Sequence, residues 1–170
     1  IERCHVNNVF HRDVKPENFL RVQGTFKLID FGIARGKGAK CGRRGTPQYT
    51  APEVWTEPIK ELRATPEMDI FALGVVLFMM AVGEPPFEHT QSARTSPSWC
   101  KYTTILDQKK LNADLRDLIC GMLNPSPEKR MKTEQIKNHP WLMKEEVLDL
   151  VLGIFQSKWV NPLKTASNLW

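Results

Sequence analysis

Apolar residues follow strand-like spacing in the first part of the chain. Residues 6–10, 19–22 and 25–29 are short β-type runs separated by polar turns, and residues 23–24 form the turn between the last two runs. This pattern predicts short strands, including one β-hairpin. Residues 35–66 contain four glycines and four prolines, which are too many helix and strand breakers for a long regular element. An extended functional loop or a linker is therefore predicted there.

Farther along the chain the apolar residues change to helical spacing. Apolar side chains occupy nearly every side of residues 70–81, which is typical of a buried helix, and Gly83 with the prolines after it predicts the end of that helix. Residues 111–123 and 133–138 predict two further helices, whereas residues 84–104 are polar and predict an irregular connection. The fold class predicted from these patterns is α+β and predominantly helical.

The length and composition exclude several classes of protein. The chain has 170 residues, of which 41% are hydrophobic and 25% charged, as in one globular domain. The longest apolar run, residues 71–83, is too short to cross a bilayer, so no membrane partner is expected. Four cysteines without C-x-x-C spacing do not suggest a disulfide scaffold, and we expect an intracellular location, cytoplasmic or nuclear. Position 1 is Ile without a leader sequence, which indicates a piece of a longer protein.

The positive charge is concentrated in one segment. Lys and Arg exceed Asp and Glu by 24 to 19, a net charge of +5, and residues 35–44 alone hold five cations and no acid. This segment, called the basic loop below, contains Arg35, Lys37, Lys40, Arg43 and Arg44. Nucleic-acid surfaces usually spread their cations along a face and interleave them with aromatic residues, so nucleic-acid binding is not expected.

Residues suited to phosphoryl transfer lie at the ends of the predicted short strands. Residues 11–18 read H-R-D-V-K-P-E-N, and the predicted hairpin ends in D-F-G at residues 30–32. Transfer of a γ-phosphoryl group needs a carboxylate for the hydroxyl proton, oxygen ligands for Mg²⁺ and a cation on the phosphate. Both motifs together supply these groups, whereas no His/Cys cluster provides a zinc site.

These motifs, followed by G-T-P-Q-Y-T-A-P-E at residues 45–53, resemble the signature of eukaryotic protein kinases. The resemblance covers about residues 3–143 and implies the C-terminal lobe of the kinase fold, with a short β-hairpin bearing the catalytic loops. Residues 1–143 are expected to form this lobe without the small N-lobe, and residues 144–170 a C-terminal helical extension. The ending H-P-W at residues 139–141 is similar to that of the calcium/calmodulin-dependent kinase group.

The resemblance implies a role for each residue of the site. Asp13 would be the catalytic base, Lys15 would contact the γ-phosphate of ATP, Asn18 and Asp30 would hold Mg²⁺, and Leu20 would lie under the adenine.

Three further implications concern residues around this set. Lys15 together with Thr46, counted with the catalytic group, indicates the serine/threonine type. Glu17 belongs with the cofactor-binding residues and, in relatives, also contacts a basic residue of the substrate. Asp69 would hold the catalytic-loop backbone and Arg130 would pair with Glu53, so these three residues are expected to be structural.

The function implied is transfer of phosphate from ATP to serine or threonine of protein substrates, with Mg²⁺. The glycine-rich loop and the V-A-I-K lysine of the family do not occur before residue 11, so the isolated chain is expected to be inactive or weakly active. The alternative is a non-catalytic, kinase-like binding or decoy module. A small-molecule phosphotransferase is disfavoured because those enzymes lack the A-P-E segment.

Two expectations concern partners. Many kinases use the arginine before the catalytic aspartate, here Arg12, to bind a phosphate on the neighbouring loop, yet residues 31–44 contain no Ser, Thr or Tyr. An acidic partner or substrate is therefore expected to order the basic loop, the alternative being a solvated mobile loop. Residues 144–160 have an apolar stripe but more acidic than basic residues, so calmodulin binding is not expected.

Overall fold

The computed structural model describes residues 1–87 and 102–143, which form a mixed α+β structure that is mostly helical. Its regular elements are α1 (Glu2–Val6), β1 (Val9–Phe10), β2 (Phe19–Val22), β3 (Thr25–Leu28), β4 (Arg35–Gly36), α2 (Glu53–Thr56), α3 (Pro66–Val82), α4 (Tyr102–Gln108), α5 (Ala113–Met122) and α6 (Thr133–Lys137). Within the described ranges, no helix is long and apolar enough to span a membrane.

The strands form two antiparallel pairs. In the β2–β3 hairpin Phe19 lies opposite Leu28, and the turn residues Gln23 and Gly24 have φ angles of 49° and 78°, as a tight two-residue turn requires. The predicted hairpin is confirmed. In the second pair β1 lies beside β4, so the segment before the HRD motif is bonded to the start of the basic loop.

The predicted strand at residues 6–10 is only partly correct. Residues Glu2–Val6 form α1, and the strand is limited to Val9–Phe10. Asn8 between them has a φ of 55°, so the chain turns sharply there. The prediction was wrong for Val6 because this apolar residue at the end of α1 lies close in sequence to Val9–Phe10, so the three residues together resemble one strand.

Helix α3 is the centre of the core. Pro66 begins it, and Gly83, with a φ of 92°, ends it by donating its amide to Met79 O. Helix α5 packs closely on α3, because a Cβ on Gly74 would lie only 2.9 Å from the Cβ of Met122. The buried helix predicted over residues 70–81 is thus confirmed, with one more turn at its N-terminal end.

The later helices agree with the predictions except at one place. Helices α5 and α6 fall inside the predicted segments, and the Asn112 side chain caps α5 by accepting the Asp114 amide at 2.9 Å. Helix α4, however, begins at Tyr102 inside the segment predicted as irregular. Its Tyr102 and Leu106 are buried, but the apolar run is too short to show helical periodicity. The predicted extension at residues 144–170 and its expected failure to bind calmodulin lie outside the described residues.

Candidate active site

The first turn of α3 supports residues 11–18, called the HRD loop below. The buried carboxylate of Asp69 accepts the backbone amide of Arg12 at 2.6 Å and that of His11 at 2.8 Å. Arg12 has a φ of 69°, a left-handed conformation that costs free energy in a non-glycine residue and needs such support. The Nε2 atom of His5 contacts the same carboxylate at 2.9 Å. The structural position expected for Asp69 is confirmed.

Asp13, Lys15 and Thr46 form one contact group. Thr46 donates its backbone amide and its hydroxyl to Asp13 Oδ1, both at 2.8 Å. Lys15 Nζ donates to Thr46 Oγ1 at 2.8 Å and lies 3.0 Å from Asp13 Oδ2. The three residues predicted to be catalytic are therefore in direct contact, although 33 positions separate Asp13 from Thr46.

The hydrogen bonds to Asp13 keep it ionised. Burial alone would raise the pKa of its carboxyl, but the side-chain hydrogen bonds of Lys15 and Thr46, then the Thr46 amide and the charge of Lys15, lower the pKa below its usual value. At neutral pH the group is a carboxylate with donors on both oxygens. It can orient a hydroxyl and accept its proton once one of these donors gives way.

Asn18 lies against the other side of Asp13. Its Nδ2 atom donates to the Asp13 carbonyl at 2.8 Å and to Asp13 Oδ2 at 3.3 Å. Because the amide nitrogen is used in this way, the side-chain oxygen is the atom that remains for a ligand. The Asn18 carbonyl also accepts the amide of Ile29 at 2.9 Å, which links the catalytic loop to the residue before Asp30.

Asn18 and Asp30 carry oxygen atoms that could hold Mg²⁺. Asp30 is exposed, with a φ of 62°, and its Oδ1 accepts the Gly32 amide at 3.2 Å, which leaves the second carboxylate oxygen for a cation. In residues 1–87 and 102–143 no group of three or more His, Cys, Asp or Glu side chains could hold a metal. Mg²⁺ commonly takes only one or two protein carboxylates and completes its octahedron with phosphates and water, so this donor set suits it.

The remaining predicted site residues flank this group. Leu20 is half-buried in β2 opposite Lys27. Glu17 is exposed, and no hydrogen bond or ion pair of its side chain occurs within the described part of the chain. Its charge nevertheless acts on Tyr49. Burial is the larger cause, and the charge of Glu17 the smaller, of a rise in the pKa of the Tyr49 phenol to about 12.

The DFG segment contacts the HRD loop through an aromatic pair. The rings of His11 and Phe31 meet edge to face with their centroids 4.7 Å apart, and His11 Nε2 lies 2.9 Å from Ile29 O. Phe31 is 43% exposed, so the apolar surface that it forms with His11 is open on one side.

Backbone carbonyls accept hydrogen bonds from two arginines at the basic loop. Arg12 donates to Ile33 O at 3.1 Å and to Gly42 O at 2.6 Å. Arg43 donates to three carbonyls at the end of α2, at 3.0 to 3.2 Å, which have no partner within that helix. Neutral carbonyls thus accept hydrogen bonds from the guanidinium groups of Arg12 and Arg43. The expectation that an acidic partner or substrate orders the basic loop stays a prediction.

Gly45 lets the loop pass against the HRD backbone. Its φ is 116°, and a Cβ there would lie 2.7 Å from Arg12 O. We expect Gly45→Ala to displace Thr46 from Asp13 and to destabilise the fold by about 1–3 kcal/mol. Urea unfolding measures the loss, and Gly38→Ala, at a φ of 69° with open space around it, is the matched control for conformational strain alone. Equal losses in both variants would contradict the close approach.

Sequence reasoning missed contacts that join distant segments. His5 binds Asp69, 64 positions later, and Arg43 binds the end of α2. No local pattern marks either residue, because one histidine or one arginine in a basic run has no distinguishing spacing. The glycine at position 45 was read only as part of the G-T-P motif, although its positive φ is a conformational requirement.

Asp13 is an ionised carboxylate with a lysine beside it, and Asn18 and Asp30 offer oxygen atoms that could hold a metal ion. Such a set of groups can serve phosphoryl transfer. A protein-family description, Protein kinase domain, matches residues 1–142. SNF-related serine/threonine-protein kinase from Rattus norvegicus is 40% identical over 149 residues, which cover 84% of this chain and 19% of that protein. Calcium-dependent protein kinase 20 from Oryza sativa subsp. japonica is 33% identical over 156 residues, 84% of this chain and 27% of that protein.

Aurora kinase from Schizosaccharomyces pombe is 36% identical over 145 residues, which cover 82% of this chain and 39% of that protein. The chain thus spans less than two fifths of each of these three curated relatives. The match over residues 1–142 shows that the chain belongs to the protein kinase domain family. The first of these relatives is by its name a serine/threonine-protein kinase.

Proposed function

We propose that this chain supplies the catalytic loops of an intracellular serine/threonine protein kinase and that residues 1–143 form its large lobe. The observation that carries the proposal is the contact group of Asp13, Lys15 and Thr46. Each member was singled out from a different part of a motif, and the fold brings all three within hydrogen-bond distance. A binding module that had lost its chemistry would have no need for this geometry.

Each residue of the group has one role in the proposed reaction. Asp13 orients the acceptor hydroxyl of a protein substrate and receives its proton at a carboxylate oxygen. Lys15 places a positive charge beside the oxygens of the migrating phosphoryl group, where negative charge accumulates. Thr46 keeps Asp13 and Lys15 at a fixed separation through its hydroxyl and amide.

Asn18 and Asp30 would hold Mg²⁺ with the ATP phosphates. The bound cation would neutralise the phosphate oxygens and align them with the acceptor. Leu20 and Glu17 would line the ATP-binding surface, Leu20 beneath the adenine. Leu20 is the second residue of β2, and Glu17 lies beside Asn18, whose carbonyl accepts the amide of Ile29, the residue before Asp30.

The proposal is tested by adding the small lobe that the family uses above this surface. The small lobe of a related serine/threonine kinase is joined ahead of residue 1, and transfer of labelled γ-phosphate from Mg·ATP to a mixed protein substrate is measured. We expect phosphoserine and phosphothreonine in the product, and much slower transfer by the chain alone. A folded chimera that binds Mg·ATP and transfers no phosphate would support the non-catalytic binding module instead.

The metal assignment has a separate test. Asp30→Ala is expected to weaken Mg·ATP binding by the chimera at least roughly tenfold, since loss of even an outer-shell partner of a metal costs about 10- to 100-fold in affinity. Isothermal titration with Mg·ATP and with metal-free ATP separates the metal from the nucleotide. Asp107→Ala is the matched control, because Asp107 is an exposed aspartate on α4. An equal affinity of Asp30→Ala and the control would refute the metal role.

A further inference from the structure

The cations around the basic loop fall into two sets. Arg12, Arg35 and Arg43 donate to backbone carbonyls of the chain itself. Lys37, Lys40 and Arg44 are exposed, and the described residues provide no hydrogen-bond or ion-pair partner for their side chains. The hydrogen-bond donors of the second set are therefore available to a ligand, whereas the first set uses donors to bind the backbone of the chain itself.

The backbone under the second set, called the cationic surface (Lys37, Lys40 and Arg44), is anchored. The amide of Lys37 donates to Asn8 O at 3.1 Å, one residue beyond the β1–β4 pair. Lys40 forms an antiparallel bridge with Arg63, and the Arg44 amide donates to Gly42 O at 2.9 Å. Binding of a ligand would therefore cost little backbone conformational entropy, because only the side chains would have to be fixed.

The cationic surface reaches the acceptor site at Arg44. Arg44 lines a small cavity together with Asp13, Thr46 and Tyr49, and it precedes Thr46 by two positions. Its charge also acts on Arg12: burial in the first place, and the neighbouring cations Arg35 and Arg44 in addition, lower the pKa of that guanidinium. A substrate whose hydroxyl faces Asp13 would thus have cations along the side that faces the loop.

The basic loop has no anion of its own to neutralise this surface. Residues 31–44 contain no acid and no hydroxyl that could be phosphorylated. The nearest hydroxyls beyond the loop are those of Thr46, which is bonded to Asp13, and of Tyr49 and Thr50, whose residues are only 5% and 8% exposed. The basic loop also lacks aromatic residues on which nucleic-acid bases could stack, which favours a peptide over a nucleic acid.

We propose that Lys37, Lys40 and Arg44 bind an acidic segment of the protein substrate, rich in Asp, Glu or phosphorylated residues, beside the acceptor hydroxyl. The inference rests on the proposed function, because it assigns the substrate class for the same site. The cations select substrates by charge, and they increase the encounter rate of acidic segments with the loop that carries Thr46.

Binding by the full 170-residue chain tests the inference without ATP. The probe is a labelled peptide with one serine flanked by four Asp and Glu residues on each side, and its affinity is measured by fluorescence anisotropy. The comparison peptide carries Asn and Gln at the same positions. We expect the acidic peptide to bind at least tenfold more tightly, with a steep loss between about 0.05 M and about 0.3 M KCl, as screening of exposed charges requires.

Two triple variants locate the binding surface. Lys37→Gln with Lys40→Gln and Arg44→Gln is expected to weaken acidic-peptide binding roughly tenfold, because three exposed ion pairs are lost and each contributes only a small free energy. The matched variant Lys109→Gln with Lys110→Gln and Lys129→Gln removes the same charge from exposed positions of the helical half and should leave the affinity within about twofold. Circular dichroism verifies that both variants fold.

Several outcomes would overturn the inference: equal affinity for the two peptides, equal losses in the two triple variants, or tighter binding of a single-stranded thymidine oligonucleotide than of the acidic peptide. The proposed function fails in a different way. If the chain binds the acidic peptide selectively but the chimera transfers no phosphate, the proposed kinase activity is refuted and the acidic-segment inference stands. If the chimera phosphorylates both peptides at equal rates and the chain shows no selective binding, the proposed kinase activity stands and the acidic-segment inference is refuted.

Discussion

Replacing Arg130 with methionine is expected to destabilise the described fold by about 3–5 kcal/mol, the usual loss when one member of a buried ion pair is removed. Arg130 is 1% exposed, and its guanidinium donates to both carboxylate oxygens of Glu53 at 2.7 and 2.9 Å. It also donates to the carbonyls of Glu67 and Asn124 and lies 5.0 Å from the ring centre of Phe71. Methionine fills similar volume but leaves the Glu53 charge buried without a partner.

The pair joins two segments that lie far apart in the sequence. Glu53 opens α2, immediately after the segment that carries Thr46, and Arg130 lies 77 positions later, just before α6. A bidentate pair also fixes the relative orientation of the two segments. The loss of stability should therefore be accompanied by faster hydrogen exchange at the amides of residues 45–56. Urea unfolding measures the free energy of unfolding, and exchange mass spectrometry measures the exchange of these amides.

Two further variants separate the buried charge from the lost packing. Arg130→Met combined with Glu53→Leu removes both charges, so it should recover part of the loss, as replacement of whole buried pairs by apolar residues often does. Arg116→Met breaks the exposed pair with Asp107, 2.8 Å apart, and should cost less than about 1 kcal/mol. Similar losses for Arg130→Met and Arg116→Met would refute the special role of the buried pair.

The parts of the fold that were predicted correctly depend on local patterns. The β2–β3 hairpin follows from two short apolar runs around a polar turn, and α3 from apolar residues on every side with Gly83 at its end. The motif residues Asp13, Lys15 and Thr46 were found because the H-R-D-V-K and G-T-P segments resemble the protein kinase signature. Their contact with one another was implied only by resemblance, since no local rule brings Thr46 to Asp13.

The parts that were missed depend on contacts between distant segments. The hydrogen bonds of Arg43 to the end of α2 could not be read from a run of basic residues, in which all five cations look equivalent. Helix α1 was missed for a local reason, because Val6 at its end and the strand Val9–Phe10 together gave one β-like pattern. In the structure Arg35 and Arg43 donate to backbone carbonyls, whereas Lys37, Lys40 and Arg44 are exposed. Only these contacts distinguish the cationic surface from the other cations of the loop.

Asp13→Asn in the chimera is expected to lower the rate of phosphoryl transfer by about 10²- to 10⁴-fold, the usual contribution of a positioned general base. Asparagine has nearly the same shape but cannot accept the proton of the acceptor hydroxyl. Its amide also conflicts with its surroundings, because Thr46 donates to one oxygen of Asp13 while Lys15 and Asn18 donate to the other. Either orientation of the amide therefore points its NH₂ group at a donor.

A second variant distinguishes lost chemistry from this local disturbance. Thr46→Val removes the hydroxyl that bridges Asp13 and Lys15 but keeps the carboxylate, so it disturbs the same contacts while the base remains. We expect it to lower the single-turnover rate much less than Asp13→Asn does, with Mg·ATP affinity nearly unchanged in both. Thermal unfolding of each variant verifies the fold. A folded Asp13→Asn chimera that keeps its single-turnover rate within about twofold, or that loses no more than Thr46→Val, would show that another group takes the proton.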